Sequence, residues 1–172
     1  MHKYLILILF SLLLTVVPQN KKNKNGTDKK NTETTIELNY PSKFDEASVP
    51  KEIKKLLKKP LYTFSEEDID LYLGFLKTNI PNLRDRIQFL ARQNMGQNYN
   101  IYLLGEFPFE IKDKQPLYNL KQSDCVVFAE HIYAMSLSSN WKEFFAMLQR
   151  IRYKDGEIGM LTRNHYTEAD WV

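Results

Sequence analysis

The chain has 172 residues, 43% of them hydrophobic and 26% charged, a balance typical of one globular domain with a buried core. Its 24 basic and 21 acidic side chains give a formal net charge of +3, which is too small to indicate a nucleic-acid-binding protein. Much of the positive charge is concentrated in Lys21–Lys30 and Lys51–Lys59. Such runs are typical of solvated segments, with attraction to an anionic envelope surface as the alternative.

Residues 1–18 predict a signal peptide or a signal anchor. The apolar run Tyr4–Val17 follows Lys3 and is shorter than the roughly 20 residues that a membrane-spanning helix needs. The run ends without a small-x-small cleavage pattern, so an uncleaved anchor that associates with the membrane remains the alternative. Residues 19–49, rich in Lys, Asn and Thr, predict a flexible linker, and residues 50–172 predict the folded domain.

Two helices are predicted at the start of the folded domain. The first follows the capping residue Ser65, and its apolar residues recur at helical spacing at Ile69, Tyr72, Leu73 and Leu76. The second follows Asn82, ends near Gly96, and carries Leu83, Ile87, Leu90 and Ala91 on one face.

The second half of the domain mixes loop, helix and strand signals. Residues Tyr99–Leu120 lack a helical period and predict a loop with short extended pieces. A helix is predicted from Cys125 to Leu137, with Phe128, Ile132 and Met135 facing inward, and another after Asn140, with an apolar stripe of Trp141, Phe144, Phe145 and Leu148. Asp155-Gly156 lies between two extended runs, Arg150–Tyr153 and Ile158–Thr162, which predicts a β-hairpin.

Cys125 is the only cysteine of the chain, so it has no internal disulfide partner. Ser123 or Asp124 is a suitable N-cap, which places the thiol in the first turn of the predicted helix. Free backbone N–H groups and the helix dipole at such a position stabilise a thiolate and the oxyanion of a tetrahedral intermediate. A buried, inert cysteine is the alternative.

A cysteine nucleophile also needs a base, and the chain has three histidines. His2 belongs to the signal segment, and His131 lies about 240° around the helix from Cys125, so we expect it on a different, surface or half-buried position. His165 is the candidate base, and a histidine satisfied by local hydrogen bonds is the alternative reading of it.

Several segments together resemble a known family. The Asp-Cys pair that opens a helix is similar to the nucleophile motif of NlpC-type, papain-like peptidoglycan hydrolases, and Met95-Gly96-Gln97-Asn98-Tyr99 is similar to the segment before that motif. More narrowly, the chain from about Leu61 onward resembles the N-acetylmuramoyl-L-alanine amidase-like domain of exported bacterial proteins. The resemblance lies in Asp124–Glu130, Ile151–Gly156, Arg163-Asn164-His165-Tyr166 and Asp170-Trp171.

The resemblance implies an α+β, papain-like (NlpC-type) core with the nucleophile helix on an antiparallel sheet, preceded by a helical subdomain. It implies hydrolysis of an amide in peptidoglycan fragments, between N-acetylmuramic acid and L-alanine, in the bacterial periplasm or cell envelope. Cys125 and His165 would be catalytic. The substrate site would be formed by Tyr99, Asp124, Arg163, Asn164 and Trp171.

The family continues beyond the Asp-Trp pair, so we expect this chain to be C-terminally truncated, with an incomplete sheet. Positioning of the substrate is then the alternative role for His165. A degenerate, non-catalytic protein of the cell wall is the rival prediction, and a tethered interaction domain with Cys125 in its core is a third. Scattered histidines, a single cysteine and no glycine-rich phosphate loop predict neither a metal nor another cofactor. The oligomeric state is left open.

Overall fold

The structure is a computed structural model that describes residues 48–164, all within one compact unit. It is dominated by helices, with a very small sheet. In chain order the elements are α1 Lys51–Leu56, a 3₁₀ turn Leu61–Thr63, α2 Glu66–Asn79, α3 Leu83–Gln93, β1 Asn98–Tyr99, β2 Gln122–Ser123, α4 Cys125–Leu137, α5 Trp141–Arg152 and a 3₁₀ turn Lys154–Gly156. None of the helices in this part of the chain is both long and apolar enough to cross a membrane.

The four longer helices begin where the sequence predicts. In each, the N-cap side chain accepts a hydrogen bond from the backbone N–H three residues later, which satisfies a donor that the helix itself cannot pair. In α2 the carboxylate of Asp68 also accepts from the N–H of Ser65, which completes a capping box. The N-caps are Ser65, Asn82, Asp124 and Asn140.

Helix α4 packs against both α3 and α5, and α5 also packs against α2. Ile132 and Met135 of α4 are buried as predicted, whereas Phe128 is half-buried. On α5 the side chains of Phe144 and Leu148 are fully buried. Helix packing therefore covers much of the apolar stripes on α4 and α5.

Loop residues cover the remainder of the aromatic stripe on α5. Trp141 and Phe145 are half-buried, and the ring of Tyr118 lies edge-on to both, at centroid distances of 5.0 and 6.2 Å. Edge-to-face geometry of this kind is favourable for aromatic pairs. The long loop thus contributes to the core as well as to the surface.

Two buried polar side chains join the first three helices. The hydroxyl of Tyr72 donates to Oε1 of Gln93 at 2.7 Å, and Nε2 of Gln93 donates to the carbonyl of Leu56 at 2.9 Å. Because buried polar groups need partners, these bonds tie α3 to both α1 and α2. The lysines of α1 are exposed while Ile53 and Leu56 are buried, so this basic run is an amphipathic helix and not a solvated tail.

The sheet differs from the antiparallel one that the resemblance implies. Strands β1 and β2 pair in parallel, with Asn98 opposite Gln122 and Tyr99 opposite Ser123. The loop between them returns the chain to the same end, so both strands run in the same direction. The chain between Tyr99 and Gln122 is a loop, as predicted, but it contains none of the short extended pieces that were predicted with it. The described residues therefore support an α+β description with a two-stranded parallel sheet, and they do not confirm a papain-like core.

The predicted hairpin near the end of α5 is wrong in its strands and right in its turn. Residues 150–152 continue α5, because the helix still buries Gln149 and Arg152 on the face that carries Phe144 and Leu148. Asp155 and Gly156 both have positive φ, 55° and 78°, as a tight Asp-Gly turn requires. Up to residue 164, the antiparallel pairing consists of a single bridge between Tyr153 and Arg163.

Candidate functional site

Cys125 is the first residue of α4 and its side chain is exposed. The carboxylate of Asp124 accepts from the N–H of Val127 at 2.8 Å, and the carbonyl of Asp124 accepts from the N–H of Phe128 at 3.0 Å. Within the described residues, the N–H groups of Cys125 and Val126 have no hydrogen-bond partner. Two free donors therefore point out of the helix terminus beside an accessible thiol, as the sequence predicts for a nucleophile.

A cleft of about 250 Å³ lies beside Cys125. It is bounded by residues on both sides of the cysteine, by the loop after β1, by the end of α5 and by the segment that follows it. Its lining residues are Tyr102, Leu103, Leu104, Asp124, Val126, Val127, Glu130, Arg152, Arg163 and Asn164. Three predicted site residues, Asp124, Arg163 and Asn164, thus meet at one cleft.

Arg163 is held at the wall of this cleft by the loop. One of its terminal N–H groups donates to the carbonyl of Leu104 at 2.6 Å, and its Nε lies 3.2 Å from Oε1 of Glu106. The carboxylate of Glu106 is buried and also accepts from the hydroxyl of Tyr153 at 3.0 Å. Burial raises the pKa of the Glu106 carboxyl, and the positive charge of Arg163 opposes that shift.

The loop itself is tightly folded at this point. The N–H of Gly105 donates to the carbonyl of Pro116 at 3.0 Å, and the carbonyl of Gly105 lies 3.2 Å from the Tyr153 hydroxyl, as a second acceptor for the proton shared with Glu106. A Cβ at Gly105 would collide with the carboxylate of Asp113. Any larger residue at position 105 would therefore require the Asp113 side chain to move.

Glu130 and Arg152 form the buried floor of the cleft. The guanidinium of Arg152 donates to the carbonyl of Leu117 at 2.6 Å and to that of Gly105 at 3.4 Å, and its Nε lies 4.0 Å from Oε2 of Glu130. The side chain of Glu130 is 10% exposed. Burial raises the pKa of Glu130 to about 7, although Arg152 acts in the opposite direction.

Asn164 ends the described part of the chain at the same wall. Its backbone N–H donates to the carbonyl of Arg152 at 2.8 Å, and its side-chain amide donates to the carbonyl of Ile151 at 2.9 Å. These bonds dock the residue before His165 on the end of α5. His165 and Trp171, which were also predicted at the site, lie outside the described residues.

Tyr99 does not line the cleft, but it is placed close to the nucleophile by the sheet. It pairs with Ser123, two residues before Cys125, and its side chain is 72% exposed. The hydroxyl of Ser123 donates to Oε1 of Gln97 at 2.7 Å, which ties the two strands together behind the N-cap.

His131 is buried, and not at the surface or half-buried as the sequence predicts. Its Nε2 accepts from the N–H of Asn119 at 3.2 Å, so its Nδ1 carries the proton and donates to the carbonyl of Val127 at 2.8 Å. Burial lowers the pKa of His131 to about 4. With both ring nitrogens occupied and the ring held neutral, His131 is a core residue, and the prediction that it points away from Cys125 holds.

The sequence did not single out three residues that the structure brings to the cleft: Glu106, Glu130 and Arg152. Glu130 and Arg152 were read only as members of longer motifs, with Arg152 in a predicted strand. Helical spacing puts Glu130 on the face opposite the predicted inward residues Phe128, Ile132 and Met135, so its burial had no signal in the sequence. Over residues 48–164, no group of three or more His, Cys, Asp or Glu side chains converges as a metal ion would require.

Comparison with known proteins supports the resemblance drawn from the motifs. A family model described as "N-acetylmuramoyl-L-alanine amidase-like" matches residues 89–172, just under half of the chain. The matched segment contains β1, β2, α4, α5 and all the predicted site residues. The predicted resemblance to this amidase-like family is therefore confirmed, and it points to a cell-wall amidase type of function.

A solved structure is similar as well. It is a crystal structure of a Legionella pneumophila protein of the family DUF1460, with 28% sequence identity and a TM-score of 0.53. The similarity covers 62% of this chain and 36% of the Legionella protein, so this chain corresponds to only about a third of that protein's length. No protein of curated function matches the chain.

Proposed function

We propose that the protein hydrolyses an amide bond of peptidoglycan, between N-acetylmuramic acid and L-alanine, with Cys125 as the nucleophile. The observation that carries the proposal is the exposed thiol at the capped start of α4. It lies next to a polar cleft and to two N–H groups that have no partner among residues 48–164. The similarity of residues 89–172 to the amidase-like family supports the choice of substrate. Export by residues 1–18 would bring the chain to the compartment that holds this substrate.

In the proposed reaction the Cys125 sulfur attacks the carbonyl carbon of the lactyl group while His165 accepts the thiol proton. The N–H groups of Cys125 and Val126 stabilise the oxyanion. The carbon–nitrogen bond then breaks, His165 returns the proton to the departing amine of L-alanine, and a thioester remains on Cys125. Water, deprotonated by His165, cleaves the thioester and releases the muramic acid carboxylate and the free thiol.

We assign the remaining residues to substrate binding and to support of the site. Arg163 is half-buried, lines the cleft and can bind a carbonyl or carboxylate group of the substrate. Tyr99 offers an exposed ring near the thiol, and Asn164 and Trp171 are proposed to contact substrate with it. Asp124 contributes mainly by capping α4 and thereby orienting its first turn.

The test is incubation of the purified chain with muropeptides and identification of the products by mass spectrometry. Cleavage is expected to release peptides that begin with L-alanine, together with the muramic acid sugar. Cys125→Ala should release neither, whereas Lys121→Ala, an exposed change outside the cleft, should behave like the parent. Binding of muropeptides without cleavage by the parent would instead favour a non-catalytic protein of the cell wall.

A further inference from the structure

Glu130 stands apart from the other cleft residues because nothing in the described part of the chain donates a hydrogen bond to its carboxylate. Its closest cation, Nε of Arg152, lies 4.0 Å away, at the outer limit of an ion pair. Arg152 directs its terminal N–H groups to the carbonyls of Leu117 and Gly105 instead. The side chain is nine-tenths buried and no hydrogen bond from residues 48–164 reaches it, so its carboxylate is free within that part of the chain to accept one from a bound molecule.

The carboxylate of Glu130 belongs to the lining of the cleft. It lies on α4 three residues after Val127 and six after Asp124, and all three line the same cavity beside Cys125. Leu103, Leu104 and Val127 form an apolar cluster next to it, which excludes water from one side. A hydrogen bond formed there is stronger than one formed in water.

We propose that Glu130 is a specificity-determining residue of this cleft, whose carboxylate accepts a hydrogen bond from an uncharged donor of the substrate, a hydroxyl or an amide N–H. The inference rests on the proposed function, because that function supplies a substrate with a sugar and a peptide. An uncharged donor is favoured over an ammonium group because Arg152 and Arg163 line the same cleft, and their positive charges repel a cation.

The charge state of Glu130 provides a readout. The charged groups around it are Arg152 at the end of α5, Arg163 on the following segment and Asp124 on its own helix; His131 points into the core and is neutral. With a pKa of about 7, the carboxyl is mostly protonated at pH 6 and mostly ionised at pH 8. A donor from the substrate favours the ionised form, so binding should tighten as the pH rises and should release a proton.

The experiment is calorimetric titration of the full chain carrying Cys125→Ala, which prevents turnover, with N-acetylmuramoyl-L-alanyl-D-isoglutamine. This probe has hydroxyl and amide donors and no amino group. Its affinity should be about tenfold higher at pH 8 than at pH 6, because the ionised fraction of a carboxyl with a pKa of about 7 changes by that factor. Titrations near pH 7 in buffers of different ionisation enthalpy should show proton release.

Adding Glu130→Gln should weaken binding about tenfold at pH 8 and remove both the pH dependence and the proton release. Glu157→Gln is the matched control: it makes the same chemical change at an exposed position outside the cleft and should bind like the Cys125→Ala chain. Because glutamine retains the shape of glutamate, the double variant should melt no lower than the Cys125→Ala chain at pH 8, which separates a binding effect from unfolding.

Equal affinity with and without Glu130→Gln, or a pH dependence that persists in the double variant, overturns the inference and leaves the proposed hydrolysis untouched. A Glu130 effect seen only with peptides that carry an amino group also overturns it, because the partner would then be a cation. If the Cys125→Ala chain does not bind the probe and the parent does not cleave muropeptides, the proposed function and the inference are both wrong.

Discussion

Glu130 and His131 are consecutive titratable residues of α4, but they lie on different sides of the helix and differ in their hydrogen bonding. His131 faces the core, and both of its ring nitrogens are hydrogen-bonded, to the N–H of Asn119 and the carbonyl of Val127. Glu130 faces the cleft, is nearly as buried, and receives no hydrogen bond from the described residues. Burial keeps both groups toward their neutral forms, with the pKa of His131 lowered to about 4 and that of Glu130 raised to about 7.

This contrast distinguishes a structural polar residue from a functional one better than burial does. His131 links the loop to α4, and both of its ring nitrogens are hydrogen-bonded within the fold. The carboxylate of Glu130 and the thiol of Cys125 make no hydrogen bond within the described residues. Glu130 lines the cleft and Cys125 lies beside it. We therefore expect changes on the cleft side to alter activity and changes on the core side to alter stability.

The largest expected effect is on the cleft side. Cys125→Ala should lower muropeptide cleavage by about 10³-fold or more, because no other group replaces the nucleophile. The same change should alter the free energy of unfolding by less than about 0.5 kcal/mol, because the side chain is exposed. Product release followed by mass spectrometry and urea unfolding measure the two quantities. A parent-like rate in Cys125→Ala would contradict the assignment of the nucleophile.

On the core side the effects should be reversed. His131→Ala should destabilise the protein by about 2–4 kcal/mol, because it leaves a cavity and removes the acceptor of the Asn119 N–H. The folded fraction should still cleave muropeptides within a few-fold of the parent rate. Urea unfolding, with activity normalised to the folded fraction, tests both statements. A His131→Ala protein of parent-like stability but without activity would show that His131 has a functional role and not a structural one.

The same pair should produce opposing pH dependences of stability. His131 has a folded-state pKa below its unfolded value, so its contribution is complete above about pH 6.5 and is lost as the pH falls toward 4. Glu130 has a folded-state pKa above its unfolded value, so its contribution is complete below about pH 4.5 and is lost as the pH rises through 7. Each amounts to about 3 kcal/mol at most, and over pH 4–7 the two nearly offset each other.

Replacing one of the two residues should reveal the pH dependence of stability that the other one produces. Glu130→Gln should leave a protein that loses stability on acidification, whereas His131→Gln should leave one that loses stability as the pH rises from 4.5 to 7. Urea unfolding at pH 4.5, 5.5 and 7 measures this for the parent and both variants. Parallel profiles in all three proteins would show that the two groups do not titrate as their environments indicate.

The parts of this fold that depend on local sequence could be predicted. The four N-caps, the long loop and the first-turn position of Cys125 follow from side chains within a few residues of each helix start. The positive-φ turn at Asp155-Gly156 is equally local.

The features that depend on distant contacts could not be predicted. Residues 150–152 resemble a strand by composition, yet burial of Arg152 against the carbonyl of Leu117 extends α5 through them. The parallel pairing of β1 with β2 depends on how a loop of more than twenty residues folds back. His131 looked like a surface residue because its acceptor role depends on Asn119, which belongs to that loop.

The smallest expected effect concerns Asp124, which belongs to both sides of the comparison because it caps α4 and lines the cleft. Asp124→Ala should cost about 1 kcal/mol of stability, since the N–H of Val127 loses its acceptor, whereas Asp124→Asn, which keeps that bond, should cost only a few tenths.

Asparagine also removes a negative charge that helps to raise the pKa of Glu130. In the Cys125→Ala chain, Asp124→Asn should therefore shift the pH dependence of muropeptide binding toward lower pH, while Asp124→Ala should combine this shift with the loss of stability. Urea unfolding and calorimetric titration separate the two effects. An unchanged midpoint of the binding profile in Asp124→Asn would indicate that Asp124 acts only as a cap and that its charge does not affect the pKa of Glu130.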